Sequence, residues 1–225
     1  MDTKLLTLVA NGLGESMYMT VLGTVFSYIV GLPAGVLLAV TAPEGIRPEA
    51  RLNTALGSVI NFLRSVPFVI LMVAVIPFTR LVTGTSIGSK ATVVPLVVAA
   101  APIVARSVEG SLREVHSGVI EAARSMGATT WQIVRRVLLP EALPSLVTGI
   151  AGATITVLGF SAMAGVAGGG GLGAIAINYG YYRGQLDIMY VMVILLVLLV
   201  MIIQKAGERI SLLLDKTARG TGADN

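Results

Sequence analysis

No side chain between Ala142 and Tyr182 carries a charge, and the same holds between Ser16 and Pro43. Runs of that length decide the solvent before they decide the fold. A soluble domain carries about a quarter charged residues, whereas here 12% are charged and 55% are hydrophobic. Hydrocarbon offers no partner to a backbone N–H or C=O, so a spanning segment must be a helix or part of a closed barrel. Continuous apolar runs select helix over alternating strand, and about 20 residues cross the apolar layer. The chain is therefore expected to be an all-α, polytopic membrane protein.

Five spans are predicted, at approximately 16–41, 56–78, 91–113, 142–164 and 188–209, in a single transmembrane domain over 1–215 followed by a polar cytoplasmic tail over 216–225. Residues 1–15 read as a short, mildly polar lead into an uncleaved first span, because no small-residue cleavage site follows a short apolar core. Gly31, Pro33 and Gly35 lie inside that span, which a lipid-embedded helix tolerates. The second and third spans reach membrane length only if Arg64 and Arg106 extend their charged heads to the interface. The uncharged stretch after Ala142 is too long for one helix. Ala164-Gly165 and the run Gly168–Gly171 break it near Met163, and the short remainder ends on Tyr179, Tyr181 and Tyr182, aromatic residues of the kind found at a membrane surface.

The formal net charge is +4. The basic residues stand at the ends of apolar runs and form no stripe, which argues for membrane topology and against a nucleic-acid partner. With five spans the termini lie on opposite sides. If the C-terminus is inside, only Lys4, Arg80, Lys90 and Arg183 of the 16 lysines and arginines fall outside. That inner excess of positive charge puts the N-terminus outside and the C-terminus in the cytoplasm. Cysteine is absent, so neither disulfides nor thiolate metal sites arise, and the redox compartment stays open. His116, the single histidine, lies beside Arg113 and Glu114 and reads as a solvated or capping residue, so no metal site and no catalytic set is expected. No Gly-x-x-x-x-Gly-Lys-Ser/Thr loop occurs, so the chain does not bind nucleotide by that means.

The polar stretch EAARSMGATTWQIVRRVLLP, residues 121–140, stands apart from this apolar background. Ser117 can cap a short helix through Glu121-Ala122-Ala123, and Gly127 supplies the left-handed residue that stops it. Thr129 and Gln132 have the spacing of a capping box that starts a second helix. Along it Trp131, Val134 and Leu138 fall at i, i+3 and i+7, an apolar face, with Gln132 and Arg136 on another side. Pro140 and Pro144 then force a kink or a restart. A helix, a sharp turn and a second helix outside the membrane make an object suited to docking.

The spacing Glu121-Ala122-Ala123, Gly127, Val137, Leu139-Pro140 resembles the cytoplasmic coupling motif of bacterial ABC-importer permeases, with Val137 where isoleucine is usual. The stretches at 64–68, 76–80, 84–88, 100–106 and 171–175 resemble the permease subunits of methionine importers. The resemblance implies a bacterial inner-membrane protein that is not itself an enzyme. It implies a second copy of the chain, two cytoplasmic ATPase subunits that hold ATP and Mg, and an extracytoplasmic substrate-binding protein or lipoprotein. It makes 117–140 the coupling loop, with Glu121, Ala122, Ala123, Gly127, Ala128 and Pro140 as the ATPase contact.

Two further features invite a role. Met163 is the bulky side chain among small neighbours, Ser161 and Gly165 included, so it reads either as a gate on the pathway or as a packed residue at a helix seam. The glycine run after it is a hinge or a tight return to the membrane. Arg64 is an intramembrane charge, either functional or snorkelling from about two turns inside the span. The competing functions are an ion-coupled secondary transporter, an ABC permease for another polar small solute, and a non-transporting scaffold or channel. A secondary transporter would carry an intramembrane acid, and all 12 acidic residues read as lying near ends or loops.

Overall fold

The computed structural model describes residues 3–214, which are helical almost throughout; the tail expected over 216–225 lies outside the described residues. Helix α1 runs Thr3–Thr41. The polar lead is thus part of the first helix, which begins at Thr3 and not near Ser16. Nothing in that segment breaks a helix, and Gly12 faces the side chain of Ile175. At 39 residues α1 is about 58 Å long, well beyond the ~30 Å of hydrocarbon, so its N-terminal part has other neighbours to meet.

Helix α2 covers Ala50–Ser65, α3 Phe68–Ala74 and α4 Ile76–Thr83. The span expected at 56–78 is therefore not one helix: α2 and α3 meet at 104°. Val66 is extended (φ −84°, ψ 124°), as a residue before proline prefers to be, and Pro67 opens α3. Helix α5, Ser89–Arg113, carries Pro95 and Pro102 without breaking. The polar loop holds α6, Ser117–Ser125, then α7, Thr130–Ile133, which widens into a π turn at Val134–Leu138 before α8, Leu139–Glu141. Helix α9 covers Leu143–Ala164 and α10 Gly171–Ile175, the latter running into a π turn at Ala176–Tyr181; α11, Leu186–Leu214, follows. Four helical stretches among the described residues are long and apolar enough to cross a membrane, and the bent α2–α3 pair makes a fifth.

The bundle is built on close contact between α1 and α5. A methyl at Gly31 would lie 2.7 Å from the carbonyl oxygen of Ala101, and one at Gly35 would lie 2.5 Å from that of Ala105. Farther out, Gly23 meets Leu96. The contact numbers rise together, so α1 and α5 are parallel. Glycines four apart on one face let two backbones approach, which in lipid substitutes for the missing hydrophobic drive. Helix α9 runs against both, with Gly149 facing Ser107 and Val157 facing Gly23. Helix α11 packs on the outside of α9, Gly207 against Ala151, and Ser211 donates to Pro144 O at 2.9 Å.

A side chain at Gly35 should force α1 and α5 apart. Gly35→Val is expected to cost about 1–3 kcal/mol and to lower the thermal unfolding midpoint of the detergent-purified protein. Gly14→Ala, where an added methyl meets nothing within 4 Å, should leave the midpoint unchanged.

Candidate functional site

The polar loop is two-faced and tightly built. The cap of α6 is His116, whose Nδ1 accepts from the Gly118 N–H at 3.1 Å. Ser117, the expected cap, is instead the first helical residue, because the imidazole ring already meets that amide. The capping role foreseen for the histidine is therefore the one it has. Helix α6 ends on Gly127 at φ 78°. The Gly127 N–H bonds Arg124 O and the Ala128 N–H bonds Ala123 O, a double closure that satisfies carbonyls otherwise orphaned at a helix end. Thr129 and Gln132 form both halves of the capping box: Gln132 Oε1 accepts from the Thr129 N–H at 2.8 Å, and Thr129 Oγ1 from the Gln132 N–H at 3.4 Å.

One face of the loop joins the bundle. Ala123, Ile133, Val134 and Leu138 share a buried cluster with Val40, Val104, Val108, Leu112, Ala142 and Leu146, so α1, α5 and α9 all seat the loop; Ala128 is packed at its edge. Ala123 thus turns inward, while Glu121, Ala122 and Gly127 face outward and Pro140 is half-buried. Trp131 departs from the expected apolar face: it is 69% exposed, as Met126 is 81% exposed. The buried stripe is centred on Ile133, Val134 and Leu138, and the wide π turn carries it round the axis, leaving Trp131 outside. The Arg124 guanidinium donates to Ile46 O, tying α6 to the α1–α2 link. Between them lies a cavity of about 610 Å³ whose lining includes Glu44, Arg113, Glu121 and Arg124.

The end of α9 is organised by its glycines. Met163 is 49% exposed, whereas Ser161 is buried and donates to Leu158 O at 2.8 Å. Gly165 is buried because a side chain there would strike the backbone of Gly173 and Ala174. The three residues grouped by sequence therefore separate, with only Met163 presenting a large side chain outward. The glycine run is a tight return: Gly168, Gly170 and Gly171 have positive φ. Helix α1 pins it, Glu15 accepting from the Gly171 N–H at 2.6 Å and Ser16 Oγ from the Leu172 N–H at 2.9 Å.

Residues 31–218 match the profile of binding-protein-dependent transport system inner membrane components. The chain belongs to this family. It is 47% identical over 201 residues to a probable D-methionine transport system permease of Vibrio cholerae, covering 89% of each chain. To the D-methionine transport system permease of Escherichia coli K12 it is 50% identical over 165 residues, 73% of this chain and 76% of that one. In structure it is similar to a chain of the inward-facing MetNI methionine ABC transporter, at a TM-score of 0.94 and 48% identity, covering 96% of this chain and all of the other. An amino acid ABC transporter at 21% identity and a TM-score of 0.75 shares the fold. The chain is thus an inner-membrane, multi-pass permease component of a binding-protein-dependent importer, in which ATP hydrolysis belongs to a separate subunit.

One group in this permease escaped the sequence reading. Glu109 lies near the end of α5, as its sequence position implies, and yet it is only 4% exposed. Its carboxylate takes Arg106 at 2.7 Å and Arg113 at 2.8 Å. Arg106 also donates to Asn61 Oδ1 at 2.9 Å and to Gly57 O at 3.3 Å, joining α5 to α2. The signal was available: Arg106, Glu109 and Arg113 follow i, i+3, i+7 on one helical face.

Removing Glu109 breaks two charged hydrogen bonds, while Arg106 and Arg113, whose side chains are 27% and 56% exposed, keep access to water, so the cost is about 1.5–3 kcal/mol. Glu109→Ala is expected to destabilise the permease by that order and to reduce its yield in membranes, with Glu109→Gln intermediate. Thermal unfolding of the two purified variants checks the order.

Proposed function

We propose that this permease carries methionine inward, as a homodimer, driven by two cytoplasmic ATPase subunits docked on residues 117–140 and supplied by an extracytoplasmic binding protein or lipoprotein. The methionine assignment is supported by the relatives' names, at 47% identity for Vibrio cholerae and 50% for Escherichia coli. The orientation, N-terminus outside and C-terminus cytoplasmic, is supported by the inner excess of basic residues.

The observation that carries the reading is the two-faced loop. Its outer face offers Glu121, Ala122, Met126, Gly127 and Trp131, while its inner face is packed into α1, α5 and α9. Packed interiors move as units, so a push on α6 is delivered to the bundle as a rigid displacement. Closure of the ATPase pair on ATP would then drive the two loops and reopen the pathway outward, with Met163 as the group at the outer constriction. Glu109 does not favour an ion-coupled carrier: it is an intramembrane acid, but two guanidiniums already occupy its oxygens.

Gly127 has φ 78° and open space where a Cβ would stand, so a side chain there meets only the docked partner and a backbone strain of about 1 kcal/mol or more. Gly127→Val and Glu121→Arg should each leave the permease inserted and dimeric, lower the co-purified ATPase about tenfold, and uncouple hydrolysis from uptake. Ile210→Ala on α11 should do neither. Full assembly and full uptake in Gly127→Val would remove the loop from the coupling role.

A further inference from the structure

Arg64 is exposed, and among the described residues its guanidinium meets no hydrogen-bond or ionic partner. Its depth follows from its neighbours on α2 and α3. Asn61, one turn before it, is level with Arg106, and Phe68, one turn after it, packs with Leu96, Ala99 and Ala100. Arg64 therefore sits beside residues 100–106 of α5, about 10–20 Å inside that helix's inner end at 1.5 Å per residue. Helix α2 begins at Ala50, which puts Arg64 about four turns from its N-terminus.

Its direction follows from the helical period. Gly57, Asn61 and Arg64 stand at i, i+4 and i+7, one face, and the first two already bind Arg106 of α5. The large exposed apolar side chains of α2, Val59 and Phe62, lie roughly 140–200° away round the axis. Lipid is served by that opposite face. A guanidinium without a partner on the polar face needs water or an anion, since an unpaired charge in hydrocarbon is costly and avoided. From Arg64 the polar groups continue inward as Asn61, Arg106, Glu109 and Arg113, and Arg113 borders the cavity beside Glu121. The set holds three arginines and one glutamate.

We propose that Arg64 heads a cationic track along the α2–α5 seam that receives the carboxylate of an α-amino acid midway through the membrane and passes it toward the cytoplasmic mouth. A guanidinium suits a planar carboxylate, which it can hold with two parallel hydrogen bonds. Arg106 is held by Glu109, Asn61 and the Gly57 carbonyl, which leaves Arg64 as the head group free to engage a solute. The amino-acid class rests on the methionine reading above; the exposed, unpartnered position of Arg64 does not.

The chain has no cysteine, so Ser65→Cys, next to Arg64 and above the Asn61 carbonyl that its hydroxyl binds, gives a single reporter that leaves the guanidinium in place. In the permease assembled with cysteine-free partners, the thiol should react with a membrane-impermeant sulfonatoethyl methanethiosulfonate. Millimolar methionine applied to the resting complex should slow that reaction severalfold, while methioninol, which lacks the carboxylate, should not. In vesicles Arg64→Cys should lose about tenfold or more of its uptake. An aminoethyl adduct, which restores a positive charge, should recover much of it; the sulfonatoethyl adduct should not. An unreactive thiol, equal rates with the two solutes, or equal uptake by the two adducts would each overturn the proposal. ATP-dependent uptake by the unmodified protein in the same vesicles tests the importer reading separately.

Discussion

Two parallel helices, α1 and α5, touch backbone to backbone at Gly31 and Gly35, and the rest of the molecule is arranged about that seam. In lipid, apolar surfaces gain nothing by leaving water, so association rests on close packing and on hydrogen bonds. Glycine at these two positions brings carbonyl oxygens of α5 to within contact of α1. With the two helices parallel, the intervening chain must return across the bundle, which α2, α3 and α4 do with a sharp bend. The C-terminal ends of α1 and α5 then lie side by side and form, with the start of α9, the apolar seat on which the polar loop rests.

The two ends of the bundle use different devices. At the end that carries the polar loop, a double-closed helix terminus and a complete capping box remove the orphan groups that would let the loop fray. A loop so fixed suits the coupling role proposed for it. At the opposite end the chain turns back through glycines, and its new helix start is held by Glu15 and Ser16 of α1. The extra length of α1 is used beyond those bonds, where Leu8, Val9 and Leu13 pack with Leu172, Ile175 and Met192 of the returning chain. Between the ends, Glu109 with Arg106 and Arg113 places ionic groups where hydrocarbon would reject them singly.

Much of the loop was legible because its signals are local. Gly127 had to be left-handed where a helix ended, and Thr129 with Gln132 had to start the next; both follow from backbone chemistry within a few residues. The long uncharged runs likewise announced α1, α5, α9 and α11. What escaped depends on partners distant in the chain. Trp131 was read into an apolar face because a 3.6-residue period was assumed, and the π turn at Val134–Leu138 alters that period. Residues 1–15 read as a lead because the glycine run that needs Glu15 lies more than 150 positions away. The bend at Val66-Pro67 could have been drawn from the restriction that proline places on the residue before it. Glu109 was read as lying near a span's end, which it does, but sequence position alone could not show that its neighbours bury it. Ser161 and Gly165 show the converse: adjacency to Met163 in sequence did not make them share its surroundings.

The central claim is that this bundle moves its solute because a separate ATPase displaces the loop at 117–140. Its most direct test is uptake of labelled methionine into sealed vesicles holding the permease, the ATPase and the binding protein, with no ion gradient imposed. The account predicts accumulation that requires hydrolysable ATP on the ATPase side and stops with a non-hydrolysable analogue. Accumulation driven by a proton or sodium gradient without ATP would contradict it.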